Sequence, residues 1–238
     1  MIMRPLLLVA MLLLPLHAAD NQLTSAEKAQ GWRLLFDGHS TEGWVEVTGK
    51  PVPPNSWTIV DGCLKTVITP GGAQDIRTVD SFRNYDLGFD WKVLADGNSG
   101  VKYLIQKIDE WTNAKGRQAR ARGFEYQLAD NRGSDAVEPA RSTASLYSAI
   151  APFPATNPAV GSFNHSRIVV KGDHVEHWLN GVRVVAFELT SPEAQKIVAT
   201  NRAKEDASNP MKRDTPISLQ NHGTEAWFKN IKIRRPVD

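Results

Sequence analysis

Cysteine is almost missing from this chain: Cys63 is the only one in 238 residues. A single cysteine forms no intrachain disulfide, so outside a reducing compartment stability must come from the core. An excess of one charge is missing too. Lys and Arg number 28 against 26 Asp and Glu, a net charge of +2. That balance gives no support for nucleic acid as a partner, because such proteins carry a clear basic excess or stripe. No apolar run reaches the roughly 20 residues of a membrane-spanning helix. There is no G-x-S-x-G elbow, no P-loop and no dinucleotide fingerprint. Gly/Ser linkers, low-complexity tracts and internal repeats are also lacking, so one domain is expected over residues 20–238.

The first residues read as a leader rather than as part of the fold. "MIMRPLLLVAMLLLPLHAAD" has a basic start at Arg4, an apolar run from Pro5 to Leu16 and then small residues. This is the pattern of a secretory signal peptide over residues 1–19, cleaved near Ala18 or Ala19. Cys63 lies far from that point, so no lipid-anchored cysteine is expected there. The mature chain is expected to be periplasmic or secreted.

The remainder is dominated by short strand signals separated by turn residues. "SWTIV-DG-CLKTV" is a hairpin signature, because Asp-Gly supplies the positive φ angles of a two-residue turn, and "LNGVRV" repeats it with Asn-Gly. Further strand candidates are "WRLLF", "GWVEV", "DIRTV", "YDLGFDWKV", "SGVKYLIQ", "GFEYQLA", "ASLYSAI", "SRIVVKG", "PISLQ" and "AWFKNIKIRR". The class is all-β, an antiparallel sandwich of two sheets. "NQLTSAEKAQGW" is a short helical or irregular lead-in. One surface helix is expected in "TSPEAQKIVATNRAKEDA", which opens with Ser, Pro and Glu. Two long loops are expected to border a site, Lys107–Gly123 and Asn131–Thr143.

Strand parity points to a polar face. In "GFEYQLAD", Phe124, Tyr126 and Leu128 share one side and Glu125 and Gln127 the other. In "SGVKYLIQ", Val101, Tyr103 and Ile105 oppose Lys102, Leu104 and Gln106. In "PISLQNHG", Ile217 and Leu219 oppose Ser218, Gln220 and His222. In "HVEHWLNG" the choice stays open, since either His177 or Trp178 can be the core residue. If these strands share a sheet, the outward acids, amides, Lys and His line one concave face. Amides and carboxylates that bond hydroxyls, with an aromatic against a sugar ring, make a carbohydrate site. Ordinary solvated sheet faces are the competing explanation.

No metal motif is evident. His174 and His177 fall on opposite faces of one strand, which argues against a two-histidine ligand pair. Conventional glycoside hydrolysis normally needs two carboxyls. The run Glu125-x-Gln127-x-x-Asp130 is similar in spacing to the E-x-D-x-x-E of laminarinase-like glucanases, but its middle acid is an amide.

Several motifs in order resemble the 3-keto-disaccharide hydrolase domain family: "GWRLLFDGHSTEGW", "GNSGVKYLIQ", "GFEYQLAD", "SLYSAIAP", "GSFNHSRIVVKG", "VEHWLNG", "ISLQNHG" and "AWFKNIKIRR". The resemblance runs from about Gly31 to Arg235. Phe163 stands where the family usually has tryptophan, and Lys229 where it has arginine. The resemblance implies a concanavalin A-like jelly-roll sandwich, export by a bacterium and action on 3-keto-glycosides. It also implies a route. A 3-keto group acidifies the C2 hydrogen, a base removes it, the C1 oxygen leaves, and water adds at C1. Glu125 and His222 are the expected base and acid, and Lys102 the group that steadies the enolate oxygen, a place a divalent cation can also fill. Asn98, Gln127, Asp130, Tyr147, His177 and Gln220 are expected to position the sugar. A non-catalytic carbohydrate-binding sandwich is the alternative. A conventional glycosidase using Glu125 and Asp130 is the third possibility.

Overall fold

In a computed structural model, the structure describes residues 19–69, 73–114, 116–133, 136–202 and 209–237. All of the leader but its last residue, and Ala203–Ala207 of the helix signal, lie outside them. Among the described residues two antiparallel sheets face one another.

The larger sheet is built from β1 (Arg33–Leu34), β3 (Trp57–Val60), β4 (Cys63–Thr66), β6 (Tyr85–Val93), β9 (Asn164–Lys171), β10 (His174–Leu179), β11 (Val182–Glu188) and β13 (Ala226–Arg234). Their order is β11-β10-β9-β6-β13-β4-β3, with β1 also on β13. The smaller sheet runs β2 (Trp44–Glu46), β5 (Ile76–Thr78), β12 (Ser218–Leu219), β7 (Asn98–Asn113) and β8 (Gly116–Ala129). Both expected two-residue turns form. Asp61 and Gly62 have φ of 49° and 72°, and Asn180 and Gly181 have 47° and 84°, the left-handed pair that matches the twist of hairpin strands.

The two inner faces close on one apolar core. Tyr85, Leu87, Phe89 and Trp91 of β6 meet Tyr103 of β7 and Phe124, Tyr126 and Leu128 of β8. These rings bury most of the area that holds the sheets together. Cys63 is buried as well.

Among the described residues two short α-helices form rather than one. The lead-in becomes α1 (Ser25–Ala29), closed by a capping box between Thr24 and Glu27. The expected surface helix is α2 (Pro192–Asn201), capped by Ser191 and burying Ala194 and Val198. It packs on β7 and β8.

Three local expectations are corrected. Lys107–Gly123 is no loop: β7 and β8 continue as a long hairpin, pairing Lys107 with Arg122 and Trp111 with Gln118. This extension overhangs the sandwich and has water on both sides towards its tip. It therefore shows little apolar alternation beyond Ala119 and Ala121, while its ladder still satisfies the backbone. Second, the register shifts between Tyr103 and Lys107, and Leu104 takes φ of 47°. Three residues of β7 oppose one of β8 there, so the alternation is broken inside the bulge and regained by Lys107. Leu104 enters the main core, and Ile105 joins a separate cluster with Val47, Ala119 and Ala121. Gly123 sits against this bulge, where a Cβ would lie 2.6 Å from the Tyr103 carbonyl oxygen. Third, "ASLYSAI" is not a full strand. Only an isolated bridge joins Leu146 to Tyr126, as the segment turns along the edge of β8.

Candidate functional site

β12, β7 and β8 lie side by side in the smaller sheet, and this arrangement assembles the polar face. Lys102 is directly opposite Glu125 across β7–β8 and opposite Ser218 across β12–β7. Gly100 pairs with Gln127, and the Gln220 backbone N–H donates to the Gly100 carbonyl at 2.9 Å. Val101, Tyr103, Phe124, Tyr126 and Leu219 point into the core. Alternation then sends Lys102, Glu125, Gln127 and Gln220 outward. With Asn98, Tyr147 and His222 they line a cleft of about 640 Å³. One wall of that cleft comes from α2, through Lys196, Ile197, Thr200 and Asn201. The Asn201 amide ties the helix to the sheet by donating to the Gly123 carbonyl at 3.0 Å.

Glu125 is half-buried at the centre. Its carboxylate accepts no hydrogen bond from any described residue. The room it occupies depends on Gly100, where a Cβ would lie 2.5 Å from Glu125 Oε1. Burial raises the Glu125 pKa above its ordinary value of 4.5; the charge of Lys102 opposes this, and that of Asp75 adds to it. A carboxyl of this kind exchanges protons nearer neutrality than an exposed one does.

Lys102 is only 4% exposed and forms an ion pair with fully buried Asp75, Nζ to Oδ2 at 2.9 Å. The other Asp75 oxygen accepts the Asn221 backbone N–H at 3.1 Å. The pair leaves two of the three ammonium donors uncommitted to Asp75. Gln127 and Gln220 are nearly fully buried. The Gln127 amide N–H₂ donates to Asn98 Oδ1 at 3.3 Å. Yet the Oε1 atoms of both Gln127 and Gln220 have no hydrogen-bond partner among the described residues. A buried carbonyl oxygen without a partner costs about 1–3 kcal/mol. Two of them in one cleft are acceptors waiting for donors such as sugar hydroxyls.

Two expected site residues are elsewhere. His177 belongs to β10 in the larger sheet and is fully buried between the sheets. Its Nδ1 lies 3.0 Å from the Ala144 carbonyl and its Nε2 2.7 Å from the Tyr103 hydroxyl. A carbonyl only accepts, so Nδ1 carries the proton and Nε2 accepts from tyrosine. Burial holds its pKa down to about 4. Trp178 takes the outward position instead, donating its indole N–H to Glu176 at 2.9 Å. Asp130 follows the end of β8 and binds Arg132 at 3.1 Å, away from the cleft lining. It is therefore not paired with Glu125 across a sugar site.

Sequence reasoning missed Asp75, and it reached Trp111, Arg120 and Arg122 only as members of a segment expected to border a site, which they do. Asp75 directly precedes "IRTV", and only the pairing of β5 with β12 carries it beneath Lys102. Trp111 had one signal, a lone indole inside a polar segment. Among the described residues no group of three or more His, Cys, Asp or Glu side chains stands close enough to hold a metal ion.

A two-sheet jelly-roll sandwich with an acid, an ammonium and unpaired amides in one outer cleft is the architecture of a carbohydrate-active β-sandwich protein. The chain belongs to the 3-keto-α-glucoside-1,2-lyase-like domain family, which residues 31–234 match. It is 29% identical over 243 aligned positions to a 3-keto-disaccharide hydrolase of Bacteroides thetaiotaomicron, covering 92% of this chain and 83% of that one. A crystal structure of a candidate glycosyl hydrolase from Parabacteroides distasonis superposes with a TM-score of 0.74 at 30% identity, over 92% of this chain and all of the other. A second candidate glycosyl hydrolase from the same organism gives 0.65 at 26% identity, over 86% of this chain and 99% of the other.

Proposed function

We propose that the protein cleaves the glycosidic bond of 3-keto-glycosides by elimination followed by hydration, with Glu125 as the base. The observation that carries this reading is the Glu125 carboxylate: half-buried, raised in pKa, opposite Lys102, and accepting no hydrogen bond from the described residues. The family and the Bacteroides relative point to the same chemistry.

In the proposed route the sugar's hydroxyls bond the free oxygens of Gln127 and Gln220, with Asn98 and Tyr147 beside them. Glu125 takes the C2 proton, and the electron pair moves towards the C3 carbonyl. Lys102 faces the enolate oxygen that forms, and Asp75 fixes its position from behind. As the enolate collapses, the C1–O bond breaks and the leaving oxygen takes a proton from His222 or from protonated Glu125. Water then adds at C1 and a proton returns to C2, so that elimination and hydration sum to hydrolysis. This route uses one carboxyl at the reacting carbons, in keeping with the separation of Asp130 from Glu125. A divalent cation in the place of Lys102 would supply the same electrophilic pull.

The test is turnover of a 3-keto-disaccharide and of its unoxidised parent in deuterated water. Deuterium at C2 of the product, with the parent nearly inert, is the expected result. Cleavage of the parent at a comparable rate with no deuterium at C2 overturns elimination and favours conventional hydrolysis. Tight binding of the keto-sugar with no turnover favours a binding module. The same reading takes residues 20–238 as one working domain, exported to the periplasm or beyond after loss of residues 1–19. Intact mass of exported protein tests that, and a retained Met1 would contradict it. No described helix is long and apolar enough to cross a membrane.

A further inference from the structure

The two ends of the cleft differ in charge. Around Gln127 and Gln220 the lining is neutral amide. Past Glu125 and Gly123 it becomes cationic, with Arg122 and Arg120 roughly 10 and 16 Å further along the strand. Lys196 faces this end from α2, and the Trp111 ring, 37% exposed, borders it from the hairpin. Asp109 takes one edge of the Arg122 guanidinium at 2.7 Å. The side chains of Arg120 and Lys196 have no hydrogen-bond or ion-pair partner among the described residues. Among the described residues Glu193 is the one carboxylate lining this end, and it forms no ion pair with Lys196.

We propose that this end is the leaving-group subsite and that it selects glycosides whose leaving group is a ring bearing a carboxylate. The inference rests on Glu125 marking the reacting bond: the neutral amides hold the keto-sugar, so whatever is attached at C1 extends towards Arg122 and Arg120. A ring there stacks on Trp111, and an anion on that ring meets guanidinium donors arranged for bidentate contact with carboxylate. Unpaired cations in a half-enclosed cleft gain more from an anionic ligand than solvated surface cations do.

The experiment uses a matched pair of aryl 3-keto-glucosides, 4-carboxyphenyl and 4-carbamoylphenyl, nearly equal in shape and differing by one charge. The carbamoyl compound has the better leaving group, so intrinsic reactivity runs against the expected preference. We expect kcat/KM to favour the carboxylate by about tenfold at low ionic strength, with the ratio shrinking as salt is added. In Arg120→Gln and Lys196→Gln the ratio falls towards one. Because the readout is a ratio within each variant, partial loss of folded protein does not affect it. A wild-type ratio near one, or a ratio untouched by both substitutions, overturns the proposal. Calorimetric binding of the two unoxidised parent glucosides separates this inference from the reading of Glu125. A carboxylate preference in binding with no cleavage of either keto-compound keeps the subsite and removes the chemistry. Equal binding together with cleavage of both does the reverse.

Discussion

The outer faces of the two sheets are both polar, yet they treat their polar groups in opposite ways. On the larger sheet the charges are consumed. Buried Asp86 is held by Arg167 and Arg234. Asp90 takes His165 at 2.6 Å and Asn230 at 2.7 Å. Glu176 takes Trp178 and Arg183. On the smaller sheet the charges of the hairpin extension also pair, Asp109 with Lys107 and Arg122 and Glu110 with Arg117, but at the centre of the cleft only Lys102 and Asp75 close on each other. Glu125, Gln127 Oε1 and Gln220 Oε1 are left with acceptors to offer. A polar face becomes a candidate site when its groups are withheld from one another and partly removed from water. Each such group costs stability, and that cost is recovered when a ligand supplies the missing partner.

The largest expected effect breaks the comparison at its centre. Glu125→Gln should lower turnover of a 3-keto-glycoside by about 10²–10⁴-fold, the range of a general acid–base group, with KM changing little. The same variant should melt no lower than the parent, because it removes a carboxylate that burial penalises. A wild-type kcat/KM that falls with acid at a pKa above 4.5, and a flat acid limb in the variant, complete the test. An unchanged rate in Glu125→Gln would move the chemistry elsewhere.

Next comes the closed pair at the centre of the cleft, Lys102 with Asp75. Asp75→Asn leaves the Lys102 ammonium buried without its counter-charge, which should cost about 3–5 kcal/mol in denaturant unfolding. It should also lower kcat more than it raises KM, since Lys102 loses its position. The double substitution Asp75→Asn with Lys102→Met should recover much of the stability and none of the activity. Recovery of activity would remove Lys102 from the mechanism.

The interior between the sheets carries its own pH dependence. His177 is neutral in the fold, with a pKa of about 4 against 6.5 when unfolded. Its stabilising contribution is therefore complete above pH 6.5. As pH falls from there the unfolded chain takes up a proton that the folded chain refuses, which removes about 3 kcal/mol by pH 4. His177→Phe should be less stable at neutral pH, because the Tyr103 hydroxyl loses its acceptor, and should show a shallower decline between those limits.

The smallest effect concerns the amides. Gln127→Leu removes one unpaired oxygen, so stability should shift by less than about 1 kcal/mol while KM rises several-fold. A large loss of stability would mean that the amide is structural, as the polar groups of the larger sheet are.

Most of the chemistry-bearing side was legible because strand parity is local. Glu125 and Gln127 face away from Phe124, Tyr126 and Leu128 whatever the strand pairs with. The same holds for Gln220 against Ile217 and Leu219. Parity failed where a bulge intervened, at Leu104 and Ile105, since nothing in "KYLIQ" marks the bulge. It also had little to grip in Lys107–Gly123, where only Ala119 and Ala121 mark a buried side and the tip, with water on both sides, is written in polar residues like a loop.

The sequence by itself determined the sandwich class, both positive-φ hairpin turns, the helix at Pro192 and the outward set Lys102, Glu125, Gln127 and Gln220. Each of these follows from spacing of a few residues along one strand or turn. Only the tertiary structure decided that His177 rather than Trp178 enters the core, because that depends on which sheet β10 joins. Only it brought Asp75 under Lys102, left Asp130 with Arg132, and set α2 beside the hairpin to give the cleft a cationic end. Those outcomes depend on which distant strands pair, and a pairing that joins residues far apart in the chain leaves no period in the sequence between them.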